Sequence, residues 1–213
     1  MARLNFGIPR WSLAPLARRR RRQVVDRFLA WMCPIPDRAT LLDVGGPGLA
    51  TVLLAPYFKT VVAVNLDPEA LSPSHIADPE SFVRIMGDGF ILPLRDKSVD
   101  FVLCDNVIEH VREQAREGLI SELRRVSKNG FFITTPNYWF PFEPHYHMPL
   151  FQFLPPHWRE SLLRRASFGW VSDPNEFIRL LSRRDLQRLL PEATVNGIGF
   201  TPFPETLVAW WRQ

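Results

Sequence analysis

The stretch "LLDVGGPGLA" (residues 41–50) ends an apolar run in Asp43 and then places glycine at three of the next five positions. Glycine costs conformational entropy and offers no side chain for packing. A strand, a glycine turn and a helix N-terminus together form a cradle of backbone N–H groups. The stretch therefore predicts a buried strand whose end faces a nucleotide-like ligand in an open α/β sheet. For this stretch alone, a merely tight turn stays an alternative.

Strands and helices alternate along the rest of the chain. Four more strands are predicted in "TVVAVNL", "SFVRIMGDG", "VDFVLCD" and "GFFITTPN". Helices are predicted in "GLATVLLAPYF", in 112–127 and in "LSRRDLQRLLP", where Ser182 is a suitable N-cap. Two strand-like pieces, "ATVNGIGF" and "ETLVAWW", close the chain. This alternation predicts right-handed crossovers and a parallel sheet.

The domain organisation is predicted from changes in composition. Residues 1–36 are predicted to form a basic, amphipathic helical segment, and residues 37–213 one domain. Within that domain, "NYWFPFEPHYHMPLFQFLPPHW" is dense in aromatic residues and proline. Proline disfavours a long helix or a central strand, so we predict an inserted cap at about 137–176.

Positive charge is concentrated at the N-terminus. Residues 1–30 hold eight arginines and one acid, a net +7, and the whole chain carries +4, which leaves −3 for residues 31–213. Five of these arginines are consecutive, Arg18 to Arg22, and would sweep the whole circumference of a helix at about 100° per residue. Since burying an unpaired guanidinium is expensive, docking of the helix is predicted to begin near Arg22, with the earlier arginines projecting. They form a solvated helix end, a peripheral contact with an anionic membrane, or an RNA contact.

Composition also sets the predicted compartment. The two cysteines, Cys33 and Cys104, make no disulfide framework, and no stretch reaches the ~18 uninterrupted apolar residues of a membrane span. A cytoplasmic location is predicted, with membrane contact at most peripheral. The sequence carries no indication of oligomeric state.

The ends of the second and third strands narrow the ligand. "VNLDP" places Asn65 and Asp67 about 20 residues beyond the glycines, where a ribose-binding residue is expected in a dinucleotide or S-adenosylmethionine site. "GDGFILPL" places Asp88 at the end of the third strand, where a carboxylate can accept a hydrogen bond from an adenine amine while Phe90 covers the ring. "GGPGLA" does not fit the G-x-G-x-x-G pattern of nicotinamide dehydrogenases.

The segments "LLDVGGPG", "VVAVNLDP", "GDGFILPLRDKSVDFVLCDNVIEHV" and "ITTPN" resemble, in order and spacing, the class I S-adenosylmethionine-dependent methyltransferases. "TPNYWFPFEPHYH" is similar to a bacterial subgroup of the methyltransferase type 11-like proteins. The resemblance implies a Rossmann-like, seven-stranded, mostly parallel sheet with helices on both faces and "ETLVAWW" inserted antiparallel. It also implies S-adenosylmethionine as cofactor and S-adenosylhomocysteine as product. The cofactor-binding residues implied by it are Asp43, Gly45, Gly46, Gly48, Asn65, Asp67, Asp88, Gly89, Phe90, Cys104 and Asp105.

Methyl transfer from a sulfonium is an in-line displacement, and a hydroxyl nucleophile gains from a general base. The candidate bases are His110 in "VIEHV" and Glu143 and His145 in "FEPHYH", with His147 on the same face as His145 if the chain is extended there. A helix-start role for His110 and a packing role for the cap histidines are the alternatives. No metal is predicted, although Glu109–His110 would supply a ligand if the cap histidines bound one.

We therefore predict a methyltransferase acting on a small-molecule, sugar or lipid-linked acceptor, by O-methylation. The alternative is a non-catalytic S-adenosylmethionine-binding module that docks on a membrane or RNA through its arginines. Enzymes that methylate exocyclic base amines resemble one another in an Asn- or Asp-Pro-Pro-aromatic motif, where this chain reads "CDNVIEH". Nucleic acid is therefore disfavoured as a substrate.

Overall fold

The computed structural model describes residues 4–5, 10–71, 82–167 and 178–213. The part of the predicted cap at 168–176 lies outside these residues. The helices are α1 (Arg10–Met32), α2 (Leu49–Leu54), α3 (Arg116–Val126), α4 (Pro156–Arg165) and α5 (Arg183–Leu189). The strands are β1 (Leu4–Asn5), β2 (Thr40–Val44), β3 (Thr60–Asn65), β4 (Phe82–Met86), β5 (Phe101–Asp105), β6 (Gly130–Pro136), β7 (Phe142–Glu143), β8 (Met148–Pro149), β9 (Ala166–Ser167), β10 (Thr194–Ile198) and β11 (Thr206–Arg212).

Seven strands form the main sheet in the spatial order β10-β11-β6-β5-β2-β3-β4. Strands β2 to β6 pair in parallel, whereas β11 runs antiparallel to both β6 and β10. The predicted seven-stranded sheet with an antiparallel last strand is thereby confirmed. The strand order reverses at β2, which has β3 on one side and β5 on the other. The crevice at that reversal lies beyond the carboxyl end of β2, where "GGPG" follows.

Alternation along the strands divides the core into two layers. Leu42 and Val44 of β2 pack with α3 and α5 on one face of the sheet. Leu41 belongs to the opposite layer, where α1 and α2 cover the sheet, and Asp43 faces the same way. The division matters for the site because the last two side chains of each strand point to opposite faces of the sheet.

Helix α1 packs along the second layer through Val24, Val25 and Phe28, which are buried in the same cluster as the strand residues. These residues form the apolar face of a helix that is predicted to be amphipathic. The division of the chain at residue 36 stays a prediction. Among the described helices, none combines the length and the apolarity needed to cross a bilayer.

The prediction that the arginines before Arg22 project from the body is wrong for two of them. Arg20 and Arg21 lie one turn before Val24 and Val25 and therefore on the docked face of α1. Arg20 Nη1 lies 2.5 Å from Glu205 Oε1, and Arg21 pairs with Asp105. Each guanidinium has a carboxylate partner, so its burial does not leave an unpaired charge. The other three, Arg18, Arg19 and Arg22, are exposed.

The described part of the cap follows β6 and has a small apolar cluster of its own. Tyr146 and Phe151 are buried there, packed by Met148, Leu154, Leu162, Leu163 and Ile178. Its first element is the β7–β8 hairpin, in which residues 144–147 form the turn. His145 and His147 therefore lie in a turn and not in extended chain; His147 has φ +52° and stacks on Phe142.

Helix α5 begins with the predicted N-cap. Ser182 Oγ accepts a hydrogen bond from the Asp185 backbone N–H at 3.2 Å, and Asp185 Oδ2 accepts one from the Ser182 N–H at 2.8 Å. These reciprocal bonds form a capping box, which fixes where the chain re-enters the domain after the cap.

Candidate active site

The glycine turn after β2 is shaped by Asp43. This carboxylate is buried, and it accepts hydrogen bonds from the Thr51 hydroxyl and the Gly48 backbone N–H. Burial raises the pKa of Asp43 to about 7. A Cβ on Gly46 would lie 1.6 Å from Asp43 Oδ2. Position 46 therefore requires glycine because the Asp43 carboxylate occupies the space where a side chain would begin. The group that approaches this backbone most closely is Asp43 and not a ligand.

The other two glycines of the turn differ from Gly46. Gly45 has φ +86°, and a Cβ there would lie 2.3 Å from Val107 Cγ2. A Cβ on Gly48 would meet nothing nearer than Asp105 Oδ2, at 3.7 Å. The turn thus presents backbone and open space beside Gly48, at the start of α2, which suits the close approach of a polar ligand.

A cavity of about 380 Å³ opens between the ends of β2, β3 and β4 and the segment after β5. That volume lies in the range of small-molecule sites. Val44, Val64, Val107 and Leu119 give it apolar walls. Six of the residues predicted to bind cofactor or to act in catalysis line it: Gly45, Asn65, Asp88, Gly89, Phe90 and His110. The cavity and the glycine turn fit an adenosine-containing cofactor.

Two polar residues of this cavity are partly engaged with the backbone. Asn65 Nδ2 donates to the carbonyl oxygens of Gly45 and Gly46 at 2.9 and 3.1 Å. Asn65 therefore holds the glycine turn through its amide. Asp88 Oδ1 accepts a bond from the Phe90 N–H at 2.9 Å. Asp67 is exposed and does not line the cavity.

The end of β5 places its last two side chains on opposite faces of the sheet. Cys104 lies in the α3 layer, where burial raises the pKa of its thiol. Asp105 faces α1, accepts a bond from the Thr134 hydroxyl at 2.5 Å and pairs with Arg21. The sequence reasoning missed Arg21 and Thr134. Two sequence patterns could have predicted the contact between Arg21 and Asp105. Asp105 shares a strand face with Phe101, and Arg21 lies one helical turn before the apolar Val25.

A carboxylate–imidazole pair lies in the cap hairpin. His145 Nδ1 is 2.8 Å from Glu143 Oε1, and Glu143 Oε2 accepts a bond from the Tyr146 N–H at 2.7 Å. Since a carboxylate only accepts hydrogen bonds, His145 carries hydrogen on Nδ1 and directs its basic nitrogen, Nε2, elsewhere. Nε2 lies 3.9 Å from Glu109 Oε1.

Glu109 and His110 approach this pair from the segment after β5. Glu109 is buried, and its Oε2 accepts a bond from the Thr135 hydroxyl at 3.1 Å. Burial raises the pKa of Glu109 to about 7. The ring of His110 is 5.2 Å from that of His145 and nearly perpendicular to it. Burial and the neighbouring His145 lower the pKa of His110 to about 4, so it is neutral at pH 7.

A second cavity, of about 420 Å³, lies under the cap. Its lining is mixed, with the aromatic rings of Tyr138, Trp139 and Tyr146 and polar groups that include Glu143 and Gln152. Glu143 lines this cavity and His110 lines the cavity beside the glycine turn. His145 lines neither cavity but contacts both residues, so it connects the linings of the two cavities.

The structure thus brings three predicted catalytic residues together from two separate segments. Glu109, which the sequence analysis considered only as a metal ligand, lies among them. Thr135, which was missed, holds Glu109 from the end of β6. Cys104 and Asp67 contribute no side chain to either cavity.

Comparisons with known proteins identify the family and the fold of this chain. Residues 42–134 match the family described as "Methyltransferase domain". The structure of magnesium protoporphyrin IX methyltransferase from Synechocystis, determined with bound S-adenosylhomocysteine, superposes with a TM-score of 0.58 at 16% identity. The superposition covers 92% of this chain and 84% of the Synechocystis protein, so the two proteins share the same fold.

Two mycobacterial relatives are similar in sequence. An uncharacterised methyltransferase of Mycobacterium ulcerans is 40% identical over half of this chain, which spans only 42% of that protein's length. A Mycobacterium tuberculosis protein named "probable S-adenosylmethionine-dependent methyltransferase" is 31% identical over 205 residues, covering 89% of this chain and 71% of the relative. The chain belongs to the class I S-adenosylmethionine-dependent methyltransferases.

Proposed function

We propose that this methyltransferase transfers a methyl group to a hydroxyl oxygen of a small-molecule, sugar or lipid-linked acceptor held in the cavity under the cap. The observation that carries the proposal is the pair of Glu143 and His145. Glu143 lines that cavity, and the ring of His145 is 5.2 Å from the ring of His110, which lines the cavity beside the glycine turn. Membership of the family favours an enzyme over a non-catalytic S-adenosylmethionine-binding module.

The cofactor is proposed to lie with its adenosine part in the cavity of about 380 Å³. There Asp88 would accept a hydrogen bond from the adenine amine while Phe90 and Gly89 lie against the ring. Asn65 would serve the ribose edge, whereas Asp67, also predicted for it, lies outside the cavity lining. The methionine part would follow the backbone of the glycine turn towards the end of β5. The residues proposed to support that path are Asp43, Gly45, Gly46, Gly48 and Asp105. The side chain of Cys104, also predicted for it, is buried in the core on the other face of the sheet.

When bound, S-adenosylmethionine supplies a methyl group on a sulfonium sulfur, which keeps the bonding electron pair as the methyl leaves. His145 would take the proton of the acceptor hydroxyl at Nε2. Glu143 stabilises the resulting imidazolium through Nδ1–H and holds the ring in orientation. His110 packs against His145 from the cofactor side and limits where the ring can turn.

The acceptor class is inferred from the lining of the cap cavity. Gln152 Nε2 donates to the carbonyl oxygens of Tyr138 and Phe140, so the amide is fixed. Its buried Oε1 has no hydrogen-bond partner among the described residues, and Gln152 lines the cavity. A hydroxyl of the acceptor would satisfy Oε1, while Tyr138, Trp139 and Tyr146 offer apolar faces. Such a lining suits a ligand with both hydroxyl groups and an apolar surface.

The test is identification of the methylated product. The protein is incubated with cofactor carrying a ¹³C-labelled methyl group and with metabolite and glycolipid extracts, and labelled products are located by mass spectrometry. We expect a labelled methyl ether that is absent with Asp88→Ala protein, because methylation of a hydroxyl oxygen gives an ether. A label found only on nitrogen or carbon would overturn the proposed O-methylation.

A peripheral membrane contact is proposed for the three exposed arginines of α1. Arg18, Arg19 and Arg22 fall within an arc of about 100° on the helix, so they present one cationic surface. Each charge near an anionic bilayer contributes roughly 1 kcal/mol. Such a contact would bring the cap cavity to a lipid-linked acceptor.

Co-sedimentation with vesicles containing phosphatidylserine tests this contact. We expect binding at low salt that weakens as salt rises and falls further when Arg18, Arg19 and Arg22 become glutamine. The matched control changes three exposed arginines of α5, Arg183, Arg184 and Arg188, to glutamine. Equal losses in both triple variants, or no wild-type binding at low salt, would contradict the proposal.

A further inference from the structure

Glu109, His110 and His145 form a cluster of three potential metal ligands. Proton removal by the pair of Glu143 and His145 requires neither Glu109 nor a second histidine. One ligand atom from each of the three side chains lies within 4.8 Å of the others. They come from the segment after β5 and from the cap hairpin, so the fold brings them together across the boundary between the two cavities. We propose that Glu109, His110 and His145 bind a divalent transition-metal ion, Zn²⁺ in the first place.

The first support is an unsatisfied carboxylate oxygen. Glu109 is 0% exposed, and its Oε1 has no hydrogen-bond partner among the described residues. A buried acceptor without a partner carries a desolvation penalty, which a cation at that position would offset. The atom lies on the side of Glu109 that faces His145, 3.9 Å from Nε2.

The second support is the chemistry of the donor set. Two imidazole nitrogens and one carboxylate oxygen form a set used by Zn²⁺ sites that keep a fourth position open. Mg²⁺ and Ca²⁺ prefer oxygen ligands, so the two nitrogens select against them. A tetrahedral site with bonds of about 2.1 Å holds its ligand atoms about 3.4 Å apart. The present separations are within 4.8 Å, so side-chain rotations that bring the atoms up to about 1.4 Å closer would complete the site.

The third support is the set of partners behind the ligands. His145 Nδ1 bonds to Glu143 at 2.8 Å, which leaves Nε2 as the coordinating nitrogen. Glu109 Oε2 accepts from Thr135, which orients Oε1 towards the cluster. Carboxylate partners of ligating histidines and hydrogen bonds to ligating carboxylates are characteristic of metal sites. A simple ion pair between Glu109 and His145 would require neither His110 nor a fixed tautomer.

This inference deepens the proposed function while resting on separate evidence. With the ion bound, His145 is a ligand, and the acceptor hydroxyl loses its proton to solvent because the charge of the ion lowers the pKa of the hydroxyl. Without the ion, His145 itself takes the proton. Metal binding is measurable without any acceptor, so its failure leaves the proposed O-methylation intact, and loss of O-methylation leaves the binding measurement intact.

The experiment uses tag-free full-length protein carrying Cys33→Ser, because that exposed thiol would bind Zn²⁺ adventitiously. Bound metal is measured by equilibrium dialysis and elemental analysis, and Co²⁺ substitution is followed by visible absorption. We expect about one equivalent of Zn²⁺, little Mg²⁺, and Co²⁺ bands of tetrahedral intensity. Affinity should fall at least about 10-fold in Glu109→Gln, His110→Ala and His145→Ala, as for other metal-site variants.

Two control variants change the same residue types elsewhere: Glu117→Gln on α3 and His157→Ala on α4, both at exposed positions. Circular dichroism of each variant separates loss of metal from loss of fold. The His110 variant is the one expected to disturb the fold least, because this residue is exposed. Binding of less than a tenth of an equivalent by wild type would overturn the proposal. Folded ligand variants that bind Zn²⁺ as wild type does would also overturn it.

Discussion

The cofactor side and the cap side of this methyltransferase are built in different ways. On the cofactor side, four residues of one short stretch, from Asp43 to Gly46, determine the turn through the backbone and one buried carboxylate. On the cap side, Glu109, Thr135 and the pair Glu143–His145 come from three segments of the chain. The first arrangement is local and the second depends on the tertiary fold.

This difference determines what each side tolerates. A glycine required by a neighbouring backbone or carboxylate cannot be replaced without moving that neighbour. A side-chain cluster assembled from separate segments can lose one member and keep the fold, while losing its chemistry. The two sides should therefore fail differently when mutated, the cofactor side in stability and the cap side in turnover.

The sharpest contrast within the cofactor side is between Gly46 and Gly48. In Gly46→Ala the new Cβ falls 1.6 Å from Asp43 Oδ2, so the buried carboxylate must leave its partners. We expect the unfolding free energy to drop by more than about 4 kcal/mol, a range that few single substitutions reach. Urea denaturation and calorimetry with S-adenosylhomocysteine measure the losses of stability and binding.

Gly48→Ala is the matched control for this change. Its Cβ has 3.7 Å to the nearest side chain, and its φ of −102° suits any residue. Its unfolding free energy should stay within about 1 kcal/mol of wild type. Equal destabilisation by both substitutions would mean that the turn as a whole, and not Asp43, sets the requirement for glycine.

The same contrast explains how far the sequence could be interpreted. The alternation of strands and helices and the Ser182 cap follow from local patterns, the antiparallel β11 follows from the family resemblance, and the structure confirms all three. The inward direction of Arg20 and Arg21 was missed because their partners, Glu205 and Asp105, are distant in sequence. From the sequence alone, a run of five arginines predicts that the side chains project into solvent. Only the positions of the carboxylates show that two of them can dock in ion pairs.

The cap shows the opposite limit. The sequence marked Glu143 and His145 as candidates because titratable residues are few in the aromatic segment, and it marked His110 because that residue follows the end of a predicted strand. It gave no pairing, since the distance from His145 to Glu109 depends on how the hairpin folds back over β6. Thr135 carried no signal at all, because a threonine at the end of a buried strand is typical of any sheet.

The cap side is tested by a comparison between two histidines. We expect His145→Ala to lower turnover at least about 100-fold, or about 2.7 kcal/mol of barrier, because proton removal from the acceptor is lost. His157→Ala, at an exposed position of α4, should keep wild-type turnover. Calorimetry should give the same affinity for S-adenosylhomocysteine in both variants. If affinity falls together with turnover, the hairpin supports the cofactor side and the two regions are not separable.

The buried carboxylate on the cofactor side predicts a pH dependence of stability. The pKa of Asp43 is about 7 in the folded protein, above its ordinary value of 3.8, because the site is buried and Asp105 adds negative charge. The folded state therefore binds more protons than the unfolded state between those values, and stability falls as pH rises from about 4 to about 7. Asn at position 43 cannot ionise.

Relative to wild type, Asp43→Asn should therefore gain stability as pH rises, by up to about 1.4 kcal/mol across one pH unit near pH 6. Below about pH 4 and well above pH 7 the difference should be constant. Urea denaturation of both proteins from pH 4 to pH 8 measures it. A difference that does not change with pH would show that Asp43 is ionised throughout and that its partners offset its burial.

The smallest effect concerns the contact that links the two regions. Arg20 of α1 pairs with Glu205, whose backbone carbonyl accepts a bond from Asn137, the first residue of the cap, at 3.0 Å. The two side chains are only 18% and 13% exposed, so the pair is screened less than a surface pair. A double-mutant cycle of Arg20→Gln and Glu205→Gln should give a coupling of about 1 kcal/mol, at the upper end for exposed pairs.

The double variant should lose less stability than the sum of the losses in the two single variants, because each single variant leaves one partly buried charge unpaired. Arg18→Gln, which removes an exposed charge of the same helix, should change stability by less than about 0.5 kcal/mol. Zero coupling would mean that the pair of Arg20 and Glu205 does not help to hold α1 against the domain. The root of the cap would then be independent of the helix that covers the cofactor side, and the separation of the two regions would be complete.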